Sequence, residues 1–321
     1  MAMKRRISRR ELVKGAAAAS GLALVVGAGR RLGAAETAAS APGPASPKDP
    51  VPMGRIGKQE FSRLMLGGNL VSGYAHSRDL KYVAQLMQHY NTEAKILETL
   101  EQAESHGINC INLAIWDDLS FLKKHWQRGG KMKLIAQALV TENGSLTQFQ
   151  KAVDFGASAV HMQGHGSESL QEQRRLDLIG KVVELLKKQK VAAGVAAHAL
   201  SVIEECEAAG INPDFYQKTL HTVNYPSAPR PEEKGFLGSW DNGWCRDPYE
   251  VLKFMAGVKK PWIAFKVMAA GAIHPKQAFP FAFNAGADFI LAGMFDWQIT
   301  EDVQIARDAF CSVKRTRPWF S

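Results

Sequence analysis

From Phe61 onward the chain alternates short apolar runs with longer stretches in which apolar residues recur every three or four positions. The first pattern predicts buried strands and the second predicts helices with one buried face. Strands are expected at residues 62–68, 109–114, 132–139, 159–163, 191–198, 215–221, 262–268 and 289–294. Helices are expected at 93–106, where Ile96, Leu97, Leu100 and Ala103 share a face, and at 145–155, 176–189, 200–209, 248–257 and 276–285. Four helices close on the same punctuation: His106-Gly107-Ile108, Phe155-Gly156-Ala157, Ala209-Gly210-Ile211 and Ala285-Gly286-Ala287. A glycine just past a helix, followed by the start of a strand, is the signature of a βα repeat.

Eight such repeats predict an α/β fold, a single (β/α)8 TIM barrel, with its reactive groups at the C-terminal ends of the strands. An open doubly wound sheet is the alternative, but Gly67-Gly68-Asn69-Leu70 lacks the third glycine of a dinucleotide-binding turn.

The first thirty-five residues break the pattern. Ser8-Arg9-Arg10-Glu11-Leu12-Val13-Lys14, an apolar small-residue run over 15–29 and a small-x-small site at Gly33-Ala34-Ala35 read as a twin-arginine export signal. The apolar run is shorter than the roughly 20 residues of a spanning helix. Cleavage of the signal would leave no stable membrane anchor. This predicts a periplasmic or otherwise exported protein that meets the twin-arginine translocase on its way out. Residues 36–52, dominated by Ala, Ser and Pro, are expected to form a flexible linker, leaving 53–321 for the barrel.

Charge follows the same division. Of the formal +9, residues 1–35 contribute eight Lys/Arg and one Glu, so +2 remains for the rest. With no basic stripe interleaved with aromatics, nucleic acid is not an expected partner. Cys110, Cys206, Cys245 and Cys311 lack CxxC spacing, so neither a zinc knuckle nor a disulfide framework is indicated.

Polar residues at the strand ends carry the candidate chemistry. His198 and His221 follow consecutive strands and are suited to proton transfer near neutral pH. Lys266 sits in an otherwise apolar run, where desolvation suits it to proton transfer, carbonyl polarisation or Schiff-base formation. Asn69 and Gln163 are placed to hold substrate hydroxyls, Lys218 is a weaker counterpart of Lys266, and Gly271 and Gly293 lie in turns that expose backbone amides to an anion. His165, His198 and His221 form a candidate divalent-metal set. Two long connections, 69–91 and 222–247, are candidate binding loops, the second offering Trp240, Trp244 and Tyr225 for stacking on a sugar ring and Asp241 for its hydroxyls.

Gly54-Arg55-Ile56-Gly57 and the run from Phe61 to Asn69, continued through the first helix to Gly107-Ile108-Asn109, resemble the aldo/keto reductase family. The resemblance implies a barrel. That family places an Asp and a Tyr after strand two, a Lys at the end of strand three and a His at the end of strand four; the matching positions here are Asn112, Trp116 or Asp117, Gln137 and Gln163. No tyrosine follows strand two, so the proton donor of the family's NADPH-dependent carbonyl reduction is missing. With His198, the 266–271 run and Gly67-Gly68-Asn69, the whole chain resembles exported aldo/keto-reductase-like barrels with a twin-arginine signal. The expectation is an enzyme of isomerase, lyase or aldolase type acting on a small polar, sugar-derived carbonyl compound. His198 and His221 would move protons and Lys266 would polarise the carbonyl, a role a divalent metal would otherwise take. A reductase keeping NADP with another proton donor, and a non-catalytic barrel binding carbohydrate or protein, are the alternatives.

Overall fold

The computed structural model describes residues 51–77, 80–230, 232 and 243–321. The expected export signal, most of the linker, and both Trp240 and Asp241 lie outside them. A hairpin of β1 (Met53–Ile56) and β2 (Gln59–Ser62) opens the fold, pairing antiparallel with Ile56 opposite Gln59. Eight parallel strands follow: β3 (Leu64–Gly67), β4 (Cys110–Ala114), β5 (Lys133–Ala138), β6 (Ala159–Met162), β7 (Ala192–Ala197), β8 (Phe215–Thr219), β9 (Trp262–Phe265) and β10 (Phe289–Ala292). They run in sequence order and β10 pairs back onto β3, closing the barrel and excluding the open sheet.

Each strand is followed by helix. Helices α1 (Val83–Tyr90) and α2 (Glu93–Ser105) follow β3, α3 (Ser120–Gln127) follows β4, and α4 (Thr147–Phe155) follows β5. Helices α5 (Gly164–Glu172) and α6 (Leu176–Lys188) follow β6, α7 (Leu200–Ala208) follows β7, α8 (Pro248–Met255) follows β8, α9 (Pro275–Asn284) follows β9, and α10 (Asp296–Cys311) closes the series. Gly107, Gly156, Gly210 and Gly286 all take positive φ, between 70° and 102°, as the helix-ending role requires. Residues 69–91, expected to be one long loop, contain α1; it buries no side chain fully, so its apolar pattern is weak. Among the described residues no helix is long and apolar enough to cross a membrane. The four cysteines are free, three of them buried.

Strand alternation separates two cores. Outward residues such as Leu64, Leu66, Ile111, Leu113, Val160, Val195, Tyr216, Trp262 and Ile290 join the helices in one large cluster. Inward residues Met65, Cys110, Ile135, Ala159, Phe215, Ile263 and Phe289 form a second, into which the hairpin inserts Ile56 and Phe61. The hairpin thus plugs the N-terminal end of the barrel with apolar side chains. One step further along β4, β5, β6 and β8 the interior turns polar, with Asn112, Gln137, His161 and Gln217 replacing the apolar layer. That change of polarity sets the floor of a cavity at the other end.

Candidate active site

The cavity measures about 1230 Å³ and opens at the C-terminal ends of the strands. Its floor is a hydrogen-bonded layer. Asn112 Nδ2 donates to His161 Nε2 at 2.8 Å and reaches Gln217 Oε1 at 3.4 Å, while His161 Nδ1 donates to the Met162 carbonyl at 3.0 Å. His161 is thereby fixed in its Nδ1–H tautomer, and burial pushes its pKa down to about 4. Gln137 completes the layer.

On one wall stand Asn69, His76 and Lys266. Lys266 Nζ donates to His76 Nε2 at 2.7 Å, and Asn69 Nδ2 donates to the same nitrogen at 3.3 Å. Alternation along β9 would send residue 266 outward beside Ala264. Instead Lys266 takes φ 56°, which ends the strand at Phe265 and turns the side chain into the cavity. The turn continues with Ala269, Ala270 and Gly271 at φ 45°, 57° and 88°. Non-glycine residues at such angles cost about 1 kcal/mol each, strain that folds retain mainly where a site needs it.

The facing wall belongs to β7 and α5. His198 Nδ1 lies 3.2 and 3.3 Å from the two Glu168 oxygens, and the backbone N–H groups of His198 and Ala199 donate to Glu168 Oε1 at 2.6 and 2.8 Å. Half-exposed His165, one turn before Glu168 on α5, places Nδ1 3.4 Å from Oε2. Burial alone would raise the Glu168 carboxyl, but hydrogen bonds from His165, His198 and Ala199 hold it well below the usual range. Burial pushes His198 down to about 4 despite this carboxylate, so the ring is neutral and donates its Nδ1–H. The ring rests against Gly164, where an added Cβ would stand 2.8 Å from His198 Cε1. Only glycine leaves room there.

Trp244 joins the two walls. Its ring centroid is 4.4 Å from that of His198, 5.3 Å from His165 and 5.5 Å from His76, and Lys266 Nζ lies 4.0 Å above it. His221 holds it in place. His221 Nε2 accepts the backbone N–H groups of Trp244 and Cys245 at 3.1 and 2.9 Å, while its Nδ1 donates to the Thr222 carbonyl at 2.8 Å.

Of the residues picked from sequence, Asn69, Gln163, His165, His198, Lys266, Gly271 and Gly293 line the cavity. Gln163 also caps α5, its Oε1 accepting Gly166 N–H at 2.9 Å. Two expectations fail on geometry. His221 does not line the cavity and is no part of the group that could hold a metal, because both its ring nitrogens already hold backbone groups. Lys218 shares the outward face of β8 with Tyr216; it is fully buried and donates to Thr219 O and Oγ1, away from the cavity. Trp244, offered for stacking from the 222–247 connection, lines the cavity as well, whereas sequence gives no role to His76, inside the 69–91 connection, or to Gln217. Glu168 escapes too, although its His165-x-x-Glu168 spacing on one helix face is a usable signal.

No family model matches the chain, and no curated protein matches it. Solved structures do. A Pseudomonas aeruginosa protein assigned as an aldo-keto reductase is 14% identical, with a TM-score of 0.53 over 82% of this chain and 98% of its own. The likeness establishes the fold alone. An aldo/keto reductase from Brucella melitensis follows at 12% identity and TM-score 0.46, covering 83% of this chain and 96% of its own. A 3-hexulose-6-phosphate synthase stands at 14% and 0.44, covering 68% and 94%. Of the positions aligned by resemblance to the reductase motif, Asn112, Trp116, Gln137 and Gln163 line the cavity, and Asp117, the alternative to Trp116, does not.

Proposed function

We propose that this chain is an exported barrel enzyme performing acid–base chemistry, of isomerase, lyase or aldolase type, on a small polar, sugar-derived carbonyl compound. The observation that carries the reading is the 2.7 Å contact of Lys266 with His76 inside the cavity. An ammonium facing a carbonyl oxygen polarises it and stabilises the enolate formed by loss of the neighbouring proton. His76, bonded to that ammonium, takes up or returns protons as the charge changes. The amides of Asn69, Asn112, Gln137, Gln163 and Gln217 give a polyhydroxylated substrate donors and acceptors at fixed positions. Tyr74 and Trp116 at the rim supply faces on which a sugar ring stacks. The cavity volume exceeds what one monosaccharide fills, which supports a keto-sugar that carries a further substituent. The twin-arginine signal read in residues 1–35 supports export to the periplasm through the matching translocase.

The test is exchange of carbon-bound protons in D2O, followed by NMR on a panel of aldoses, ketoses and keto-sugars. The purified chain is expected to exchange a proton next to a carbonyl, and Lys266→Met to slow this at least about 100-fold. Equal rates in the two proteins, or consumption of NADPH on the same panel, would overturn the reading.

A further inference from the structure

We infer that His165, Glu168 and His198 form a binding site for one divalent transition-metal ion at the wall of the cavity. One donor atom from each of the three lies within 4.8 Å of the others. The pairs that share Glu168 Oε2 are 3.4 Å (His165 Nδ1) and 3.3 Å (His198 Nδ1) apart. Tetrahedral zinc with bonds of about 2.0–2.1 Å separates its ligands by about 3.4 Å. The two edges to the carboxylate therefore already have the length that a tetrahedral ion imposes, and the third closes within 4.8 Å.

The donor set suits the assignment. Two imidazole nitrogens and one carboxylate oxygen select zinc, manganese, iron or cobalt over the harder magnesium and calcium, and the ion takes the place of the proton that His198 Nδ1 otherwise shares with Glu168. The supporting contacts are those of a ligand held for a purpose. Glu168 Oε1 accepts the N–H groups of His198 and Ala199, which fixes the carboxylate plane, while Oε2 lies within 3.4 Å of both imidazole Nδ1 atoms, His198 Nδ1 sitting almost equally close to Oε1. Gly164 seats the His198 ring, and Trp244 covers it from the other side. Two ligands come from a single helix at i and i+3, and the third from the end of the adjacent strand, so the main chain sets their spacing.

His165 and His198 line the cavity, whereas Glu168 lies behind them. The open side of the ion would face the space where substrate sits, the arrangement of a catalytic rather than a structural ion. A substrate hydroxyl or carbonyl oxygen is the expected fourth ligand. The inference rests on the carbonyl reading for that role but not for the binding of the ion.

The experiment loads the purified full chain with Zn2+ and, separately, Co2+. Bound metal is counted by elemental analysis after dialysis, and the visible d–d absorption of Co2+ reports coordination. The expected result is one ion per chain and a tetrahedral Co2+ spectrum, with affinity lowered about 100-fold in both His165→Ala and Glu168→Gln. His165 is half-exposed, so its variant tests the site even if Glu168→Gln fails to fold. Lys266→Met keeps all three ligands and is expected to retain the ion while losing proton exchange. Absence of stoichiometric metal, or unchanged affinity in His165→Ala, overturns the site and leaves the Lys266 reading standing. Metal retained with no proton exchange on any carbonyl compound does the reverse.

Discussion

Lys266 reaches the cavity through one backbone angle, and that is why alternation alone misplaces it. Counting along β9 puts residue 266 on the helix side; the positive φ at that residue reverses it. The opposite happens at Lys218, where the strand stays regular and the side chain stays outside. Alternation tells which residues share a face but not where a strand stops, so of two lysines picked for the same reason only one lines the cavity. His221 shows a second limit. Its position after a strand suggests chemistry, yet its work is to hold Trp244 over His198 and Lys266. Replacing it by alanine removes the ring nitrogen that accepts two buried N–H groups, a loss of about 1–3 kcal/mol. In His221→Ala the amides of Trp244 and Cys245 are expected to exchange at least about tenfold faster by NMR, with the barrel strands little changed. Equal exchange at those two amides would show that the anchor is not needed.

At the scale of elements, the glycine punctuation and the apolar runs make all eight barrel strands and six helices legible in the sequence. The elements that escape are the four-residue hairpin strands β1 and β2 and helices α1, α3, α5 and α10, which are short, follow a strand with few intervening residues, or bury polar groups that blur their pattern. Helix α10 is the clearest case. It buries Ile299, Val303 and Ala306 at helical spacing but also Asp302, whose Oδ2 has no hydrogen-bond partner among the described residues. Burial, helped by neighbouring Glu301, pushes the Asp302 carboxyl up from 3.8 to about 6. Because the folded chain holds this proton more tightly than the unfolded one, stability falls as pH rises from about 4 to about 6 and stays lowered above. Asp302→Asn is therefore expected to stabilise the protein at pH 7 by on the order of 2 kcal/mol, with the gain vanishing below pH 4. Denaturant titrations at the two pH values read this directly, and a gain of equal size at both would refute the titration account.

For the whole molecule, the division into two cores explains why a chain 14% identical to a solved barrel shares its architecture. The outward core needs only apolar residues of fitting size, whereas the inward stack changes character at one level, from an apolar plug to the polar floor of the cavity. The hairpin belongs to the lower half of that stack, and Phe61 is fully buried in it. Phe61→Ala is expected to lower unfolding stability by about 3–5 kcal/mol in urea. A loss below about 1 kcal/mol would mean that the hairpin sits on the barrel without being part of its cooperative core. The plug has a consequence for traffic as well. A barrel stoppered at one end has a single doorway, so whatever leaves must pass where the next arrival enters. Occupant and newcomer then compete for the same opening, and any product that lingers acts as a competitive inhibitor of its own precursor.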